Sequence, residues 1–291
     1  MRMQGPSSNI YFSQRLRLHY VDWGNEGAPP MLLVHGGRDH CRNWDWVAEA
    51  FRDDYHIIAP DLRGHGDSQW MLGGSYDHAD YVYDIAQLLH QRNHTPVTII
   101  SHSLGGQISL LYSGLYPETV TRLVVIEGMG PPPEIIEERL NQPVDVRLDY
   151  WVKDLRQISG RIPRRYPSLE DAYERMQTEN PHLTEAQARH LTIHGSIQNE
   201  DGTFSWKFDN YVRVRAPVRL ADKEQYALHG RITCPTLMFR GTESWAPDPA
   251  EEGYVDWFQD VRTVNIKGAG HWVHHDQLDE FVAITRSFLD E

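Results

Sequence analysis

Short apolar runs alternate with helical patterns along the first part of the chain. Four runs are mainly apolar and predict buried strands; they lie at residues 31–34, 55–59, 97–100 and 123–126. Apolar and polar residues alternate at residues 16–20, which predicts a strand with one exposed face. Apolar residues at helical spacing predict helices at residues 81–91 and 104–115. Alternating strands and helices indicate an α/β fold with a mostly parallel central sheet flanked by helices.

The pattern changes after Gly130, where three prolines follow. Residues 131–230 are charged and mainly helical in pattern, with 14 basic and 16 acidic residues and therefore a net charge of 14 − 16 = −2. The α/β pattern then resumes with two predicted strands and a closing helix, at residues 235–239, 261–266 and 278–288. We therefore predict a core domain formed by residues 1–130 and 231–291. The segment 131–230 is predicted to be an inserted, mainly helical lid, with a separate domain as the alternative.

The composition excludes several classes of protein. The 291 residues include 28 basic and 41 acidic ones, which gives a net charge of −13. Such a surface repels phosphate backbones and anionic lipid head groups, so we expect no nucleic-acid or membrane partner. The chain has no apolar run long enough to span a bilayer and no apolar signal segment at its start. Two cysteines, Cys41 and Cys234, do not make a disulfide framework, so we expect a cytoplasmic protein.

The sharpest chemical signal is the sequence SHSLGG at residues 101–106, between a predicted strand and a predicted helix. A serine at a tight strand-to-helix turn, here Ser103, exposes its hydroxyl above the sheet with the helix N-terminus behind it. Such a turn requires small residues two positions before and two after the serine, and Ser101 and Gly105 meet that requirement. Glycine is more usual than serine at the earlier position. The alternative is a helix start without chemistry.

A nucleophilic serine requires a base, and His271 is the candidate. It ends the sequence GAGH at residues 268–271, after a predicted strand, and the glycines allow the chain to turn back towards the sheet. His271 could take the proton of Ser103 and return it to the leaving group. His274 and His275 follow, and we expect them at a helix start on the surface. Because no zinc-ligand spacing such as HExxH is present, we expect no metal site.

The sequence HGG at residues 35–37 follows a predicted buried strand. Glycines allow backbone N–H groups to converge on one point without obstruction by side chains. We therefore predict that the N–H groups of Gly37 and Leu104 form an oxyanion hole, in which each donor contributes about 3 kcal/mol to transition-state stabilisation. A plain strand-to-loop turn is the alternative for this segment alone.

Four motifs in this order resemble the α/β-hydrolase fold family: HGG (35–37), PDLRGHGDS (60–68), SHSLGG (101–106) and GH (270–271). The resemblance covers about residues 15–130 and 232–290, and it is greatest to the lidded branch of esterases, dehalogenases and epoxide hydrolases. It implies an eight-stranded sheet, a serine–acid–histidine triad and a lid over the pocket. It also implies that the charged turn at residues 60–68 is structural. Dehalogenases and epoxide hydrolases use an aspartate nucleophile, so the serine here favours acyl transfer.

The acid of the triad departs from the family pattern. The family's commonest position follows the strand at residues 235–239, where this chain has Ser244. Glu243 lies one residue earlier and Asp248 lies further on. Some family members place the acid at the end of the strand after the nucleophile, where Glu127 stands here. A carboxylate at a buried strand end requires a partner, and a histidine that becomes charged is such a partner. We therefore favour Glu127 over Glu243.

Other side chains are candidates for the surroundings of the site. Trp151, Trp206, Trp245 and Trp272 could form pocket walls, although core packing is the more common use of tryptophan. His102, beside the nucleophile, is expected to pack into the sheet.

These residues predict a serine hydrolase that needs no cofactor. Ser103 would attack a carbonyl, His271 would shuttle the proton, and Glu127 would orient the imidazole. The expected substrate is a small or medium carboxylic ester or lactone, which suits an apolar pocket under an aromatic lid. One alternative is carbon–carbon bond hydrolysis of a ring-fission product with the same triad. Another is a non-catalytic, hydrolase-like binding protein.

Overall fold

A computed structural model describes residues 5–130, 138, 141–214, 216 and 220–291. Strands in this part of the chain are β1 (Ser7–Ser13), β2 (Leu16–Asp22), β3 (Pro30–Val34), β4 (His56–Pro60), β5 (Val97–His102), β6 (Val120–Ile126), β7 (Ser196–Gln198), β8 (Phe204–Trp206), β9 (Thr236–Gly241) and β10 (Val261–Ile266). Helices are α1 (Asp45–Phe51), α2 (His78–Arg92), α3 (Leu104–Leu115), α4 (Val144–Ser159), α5 (Leu169–Glu179), α6 (Glu185–Gly195), α7 (Asp222–His229), α8 (Val273–Asp276) and α9 (Leu278–Leu289).

Eight strands form one sheet in the order β1-β2-β4-β3-β5-β6-β9-β10. Strands β1, β2 and β4 of this sheet pair antiparallel. Its other five pairings, β4–β3, β3–β5, β5–β6, β6–β9 and β9–β10, are parallel. The predicted α/β fold with a mostly parallel sheet is therefore confirmed. The sequence patterns did not predict β1 and α1.

The sheet is covered on both faces, which explains the continuous apolar runs of its inner strands. Successive residues of β3 point to opposite faces. Leu32 packs into a cluster with Ile108 of α3, whereas Leu33 packs into a second cluster with Phe51 of α1 and Phe281 of α9. None of the helices in the described ranges combines the length and apolar composition needed to cross a membrane.

The segment between β6 and β9 contains α4, α5, α6, the antiparallel hairpin β7–β8 and α7. Its last helix packs against α3: a Cβ at Gly114 would lie 2.2 Å from the carbonyl oxygen of Leu228, and Arg231 donates a hydrogen bond of 2.9 Å to the carbonyl of Gly114. The first part of the predicted lid, residues 131–137 with 139 and 140, lies outside the described residues. The division into core and lid therefore stays a prediction, and the packing of α7 favours an end of the lid before residue 222.

The charged turn after β4 is part of the core. The carboxylate of Asp61 accepts hydrogen bonds from the N–H groups of Cys41 (2.7 Å) and Asp67 (2.8 Å), and it lies 2.7 Å from the ring of His19. The fully buried guanidinium of Arg63 donates two hydrogen bonds of 2.6 Å to Asp84. Buried charges with this many partners support the expected structural role of the turn.

His274 and His275 correct one expectation. Both lie at the start of α8 as predicted, but they are buried rather than on the surface. The ring of His274 stacks on Trp44 with 4.6 Å between centroids, and its Nε2 lies 2.6 Å from Oδ1 of Asn43. Neutral histidine is compatible with such a site because it combines an aromatic ring with one hydrogen-bond donor and one acceptor.

Because several histidines are buried, we expect the free energy of unfolding to decrease as the pH falls. Burial lowers the pKa of His35 and His275 to about 3, and that of His40 and His65 to about 4. These rings stay neutral in the folded protein at mildly acidic pH, whereas the unfolded chain takes up protons below its ordinary pKa of about 6.5. The stabilisation is therefore complete above that pH and is lost as the pH falls. From pH 7.5 to 5.5 we expect a loss of about 1.3 kcal/mol per ring, on the order of 5 kcal/mol for four.

Urea unfolding at pH 7.5, 6.5 and 5.5 measures this loss. The variant His275→Gln should have a smaller pH slope by about one ring's share. A free energy of unfolding that stays constant over this range would show that these rings do not govern acid stability.

Candidate active site

Ser103 lies at the sharp turn between β5 and α3. Its backbone has φ of 50° and ψ of −115°, a strained conformation for a residue with a side chain. The turn is held by the N–H of Ser103, which donates a 2.8 Å hydrogen bond to the carbonyl of Ile126. A Cβ at position 105 would lie 2.4 Å from the carbonyl oxygen of Val34, so only glycine fits there. The strand-to-helix turn predicted from the sequence is therefore present.

Ser101 lies where glycine is usual, and its side chain is buried with its hydroxyl hydrogen-bonded. The hydroxyl donates to the carbonyl of Val124 at 3.2 Å. The departure from the family pattern thus places a hydroxyl in the strand but leaves Ser103 at the turn.

The loop after β3 lies beside the nucleophile turn. A Cβ at Gly36 would lie 3.2 Å from Cβ of Ser103 and 2.7 Å from the ring of His102. A Cβ at Gly37 would lie 3.8 Å from the side chain of Leu104. The structure thus brings the two predicted oxyanion-hole residues together. Their role in binding an oxyanion stays a prediction.

His271 lies between β10 and α8, in a loop packed on the end of β9. A Cβ at Gly241 would lie 2.3 Å from the carbonyl oxygen of Gly270, which explains the need for glycine at this close contact. The imidazole of His102 donates a 2.9 Å hydrogen bond from Nε2 to the carbonyl of His271, and the two rings are 4.7 Å apart. Burial, followed by the proximity of His271, holds the pKa of His102 well below its ordinary value. A neutral His102, which directly precedes Ser103, therefore connects the nucleophile turn to the loop of His271.

Glu127 follows β6 and is the carboxylate that contacts His271. Its Oε2 is hydrogen-bonded to Nδ1 of His271. The same oxygen accepts a 2.6 Å hydrogen bond from the hydroxyl of Ser244, and Oε1 accepts one of 2.8 Å from the N–H of Gly241. The side chain of Glu127 is fully buried, while that of His271 is 24% exposed. A buried carboxylate with three donors around it is held in one orientation, and it can stabilise a positive charge on the ring.

The other two candidate acids lie elsewhere. Glu243 is exposed and pairs with His182 at 3.5 Å. Asp248 is buried and accepts a 2.6 Å hydrogen bond from Asn265. Among the described residues, neither carboxylate contacts His271.

Ser244 is a residue of the site to which the sequence patterns assign no role. It occupies the commonest acid position of the family, and its hydroxyl holds Glu127 instead. It also accepts a 3.1 Å hydrogen bond from the N–H of Ala246, so the hydroxyl is oriented. The signal in the sequence was the absence of a carboxylate at this position, beside a carboxylate at the end of the neighbouring strand.

The four candidate tryptophans have different surroundings. Trp245 is 67% exposed, and its ring centroid lies 4.8 Å from that of His271. Trp206 and Trp272 line an open cavity of about 600 Å³ that begins at Gly37. Trp151 donates a 3.2 Å hydrogen bond to the hydroxyl of Ser75. Two of the four therefore line a pocket next to the predicted oxyanion loop.

Among the described residues, two clusters contain side chains that could ligate a metal. His19, Cys41 and Asp61 are buried together, and Asp45, His190 and His194 meet between α1 and α6. In the first cluster the carboxylate already accepts two backbone N–H groups, as described above. In the second cluster Arg42 donates to both oxygens of Asp45 and lies 3.5 Å from His194. The partners in both clusters are thus supplied by the protein itself.

Comparison with known proteins places this chain in a family. The chain is 27% identical over 288 residues to epoxide hydrolase 4 of Mus musculus, which covers 95% of this chain and 77% of that protein. It superposes on E-2-(acetamidomethylene)succinate hydrolase with a TM-score of 0.79 at 22% identity, over 98% of this chain and all of that chain. It superposes on the thioesterase domain from the curacin biosynthetic pathway with a TM-score of 0.83 at 20% identity, over 97% and 99% of the two chains.

These two structures share the fold with this chain. The sequence model of the alpha/beta hydrolase family matches residues 31–284, which include every motif of the candidate site. The chain therefore belongs to the alpha/beta hydrolase family, and it is a hydrolase by family.

Proposed function

We propose that this hydrolase cleaves a small or medium carboxylic ester or lactone through an acyl-enzyme on Ser103. The observation that carries the proposal is the contact of His271 with the buried Glu127, next to the strained turn of Ser103. An oriented, carboxylate-paired imidazole beside a serine turn is the arrangement that activates a hydroxyl nucleophile.

The proposed reaction has two stages. His271 takes the proton of Ser103 as its oxygen attacks the carbonyl, and the charge on the ring is stabilised by Glu127. The N–H groups of Gly37 and Leu104 bind the oxyanion. His271 then protonates the leaving alcohol, and the acyl group remains on the serine. Water, deprotonated by the same imidazole, releases the acid and restores Ser103.

The nucleophile favours an ester over an epoxide, although several relatives are named epoxide hydrolases. Epoxide opening in this family uses a carboxylate nucleophile, and this chain has a hydroxyl at that position. A serine hydroxyl activated by histidine is suited to carbonyl attack.

We also propose that the segment 131–230 covers the site as a lid. The carbonyl of Leu191 in α6 lies 3.1 Å from Nε2 of His40, and Gln187 donates a 3.0 Å hydrogen bond to the carbonyl of His275. These contacts fasten α6 to the segment that follows the predicted oxyanion loop and to helix α8, which follows His271. A lid at this place would exclude water and shape the substrate pocket.

Labelling with a fluorophosphonate tests the nucleophile directly. We expect one covalent adduct per chain, on Ser103, because a phosphonate captures an activated serine. Ser103→Ala should abolish the adduct. Ser101→Gly is the matched control, since its hydroxyl is bound inside the sheet, and it should retain labelling. An unlabelled protein, or an adduct that survives Ser103→Ala, would contradict the proposal and favour a binding protein.

A further inference from the structure

The cavity that begins at Gly37 has a charge opposite to that of the protein. Its charged lining residues are Arg38, Arg161, Arg164, Arg175, Arg213 and Glu179. Five cations and one anion give the cavity a formal charge of 5 − 1 = +4, in a chain whose net charge is −13. An acidic protein that gathers arginines around one cavity attracts anions to that cavity.

The arginines come from separate parts of the chain. Arg38 follows the predicted oxyanion residue Gly37, Arg161 follows α4, and Arg213 lies in the turn before α7. All three residues line the one cavity. Burial lowers the pKa of Arg213, the charges of Arg38 and Arg161 lower it further, and Glu179 opposes this effect. Like charges held together are costly unless an anion neutralises them.

The arginines in and near the cavity differ in whether they form ion pairs with carboxylates. Arg175 is paired with Glu179, and Arg165, outside the cavity, is paired with Asp201. In the described ranges of the chain, no carboxylate forms an ion pair with Arg38, Arg161 or Arg213. Arg213 instead lies over the ring of Phe208, with 5.3 Å between its guanidinium carbon and the ring centroid. A guanidinium that rests on a ring keeps its N–H donors available for a carboxylate or phosphate.

The cavity also adjoins the proposed reaction site. Gly37 belongs both to its lining and to the proposed oxyanion hole, and Trp272, which follows His271, lines it as well. The backbone of Arg38 has φ of 66°, a left-handed conformation that is unfavourable for arginine and directs the chain sharply after the glycines. The arginine-lined space therefore begins beside the proposed oxyanion hole.

We propose that the substrate is an anionic ester or lactone, whose carboxylate or phosphate group binds Arg38, Arg161 and Arg213 while its carbonyl lies at Ser103. This inference rests on the proposed function and adds the substrate class. Carboxylate and phosphate share the required chemistry, which is a planar or tetrahedral set of oxygens that accepts paired N–H donors.

Two esters of matched acyl length test the proposal. Mono-p-nitrophenyl glutarate carries a terminal carboxylate, and p-nitrophenyl hexanoate is neutral. We expect kcat/KM to be at least about tenfold higher for the anionic ester at low ionic strength, and the preference to shrink as salt is added. In Arg213→Gln and in Arg161→Gln the ratio of the two kcat/KM values should fall about tenfold. Arg165→Gln removes the same charge outside the cavity and should leave the ratio unchanged.

Inhibition by free glutarate and by inorganic phosphate distinguishes the two head groups. The anion that competes at the lower concentration identifies the group that the arginines bind. Equal kcat/KM values for the two esters, a ratio that is insensitive to the arginine variants, or competition by neither anion would each overturn the inference.

The experiment distinguishes a failure of the inferred substrate class from a failure of the proposed function. If the neutral ester is turned over in a Ser103-dependent manner but the anionic ester is not preferred, only the inference is wrong. If neither ester is turned over, the proposed function is wrong. Calorimetric binding of the anionic ester to Ser103→Ala then decides the inference: binding that Arg213→Gln weakens about tenfold supports it, and no binding overturns it.

Discussion

Ser103→Ala should lower kcat for an activated phenyl ester by about six orders of magnitude. Removing the nucleophile of a serine triad has an effect of this size, because histidine and its carboxylate then have no hydroxyl to activate. What remains is the contribution of the oxyanion hole and of substrate binding, about three to four orders of magnitude above the uncatalysed rate. The measurement is single-turnover and steady-state hydrolysis of one p-nitrophenyl ester at neutral pH.

The fold should survive this substitution. Ser103 is half-buried, and the hydrogen bond that holds the turn comes from the backbone N–H rather than from the side chain. Circular dichroism and the unfolding midpoint should therefore match those of the unmodified protein. Ser101→Gly controls for changes in the same segment and should retain turnover. If Ser103→Ala retains most of its activity, the acyl-enzyme mechanism is wrong.

The sequence patterns predicted the elements that are buried on both faces or that carry a regular apolar stripe. Strand β5 is buried at all six positions, and Thr98 is its only polar residue before Ser101. Helix α2 has a side-chain N-cap, in which the carboxylate of Asp77 accepts a hydrogen bond from the N–H of Ala79. Such elements carry their own signal because local sequence and tertiary environment agree.

The elements that were missed carry a weaker local signal. The edge strand β1 buries only Tyr11 and Ser13, so it lacks a clear alternation of apolar and polar residues. Helix α1 has seven residues, and Trp44 at its N-cap makes no side-chain capping hydrogen bond. Both are fixed by neighbours distant in sequence: β1 by its pairing with β2, and α1 by its packing against α9. Tertiary contacts decide such segments.

The residues of the site also divide into those with a local sequence signal and those that only tertiary contacts bring together. Ser103 and His271 stand in motifs that can be recognised in the sequence. Arg38 is more than a hundred residues from the other arginines of the cavity, and no local pattern predicts that they meet. We expect His274 and His275 on the surface from the sequence, whereas in the structure their rings pack against Trp44 and Trp46.

The choice between Glu127 and Glu243 depends on neighbouring strands. Strands β6 and β9 are adjacent and parallel, so their carboxyl ends present both residues at the same edge of the sheet. The N–H of Glu127 donates to the carbonyl of Phe239, which sets the register, and Glu127 reaches inward while Glu243 lies in the exposed loop beyond. The sequence contains both carboxylates but not the register that separates them.

Glu127→Gln should lower kcat by about four orders of magnitude, with little change in the fold. The carboxylate accepts hydrogen bonds on both oxygens, from Ser244 and His271 on one and from Gly241 on the other. An amide has a single oxygen, so its NH₂ group must face either the N–H of Gly241 or the donors at the other position. The substitution thus removes the charge that stabilises protonated His271 and places a donor opposite a donor, which favours the wrong imidazole tautomer. In a serine triad such a change costs about 10⁴ in kcat.

Glu243→Gln is the matched control, because it makes the same chemical change at an exposed carboxylate of the neighbouring loop. Its pairing with His182 at 3.5 Å is solvent-exposed, and loss of such a pair costs at most about 1 kcal/mol of stability. We expect its kcat to stay within about twofold of the unmodified enzyme.

Both variants are measured on one ester at neutral pH, with folding checked by circular dichroism. A large loss in Glu243→Gln with near-normal turnover in Glu127→Gln would reverse the assignment. Comparable modest losses in both would mean that neither carboxylate alone supports the charge on His271, and Asp248→Asn would then be the variant to measure.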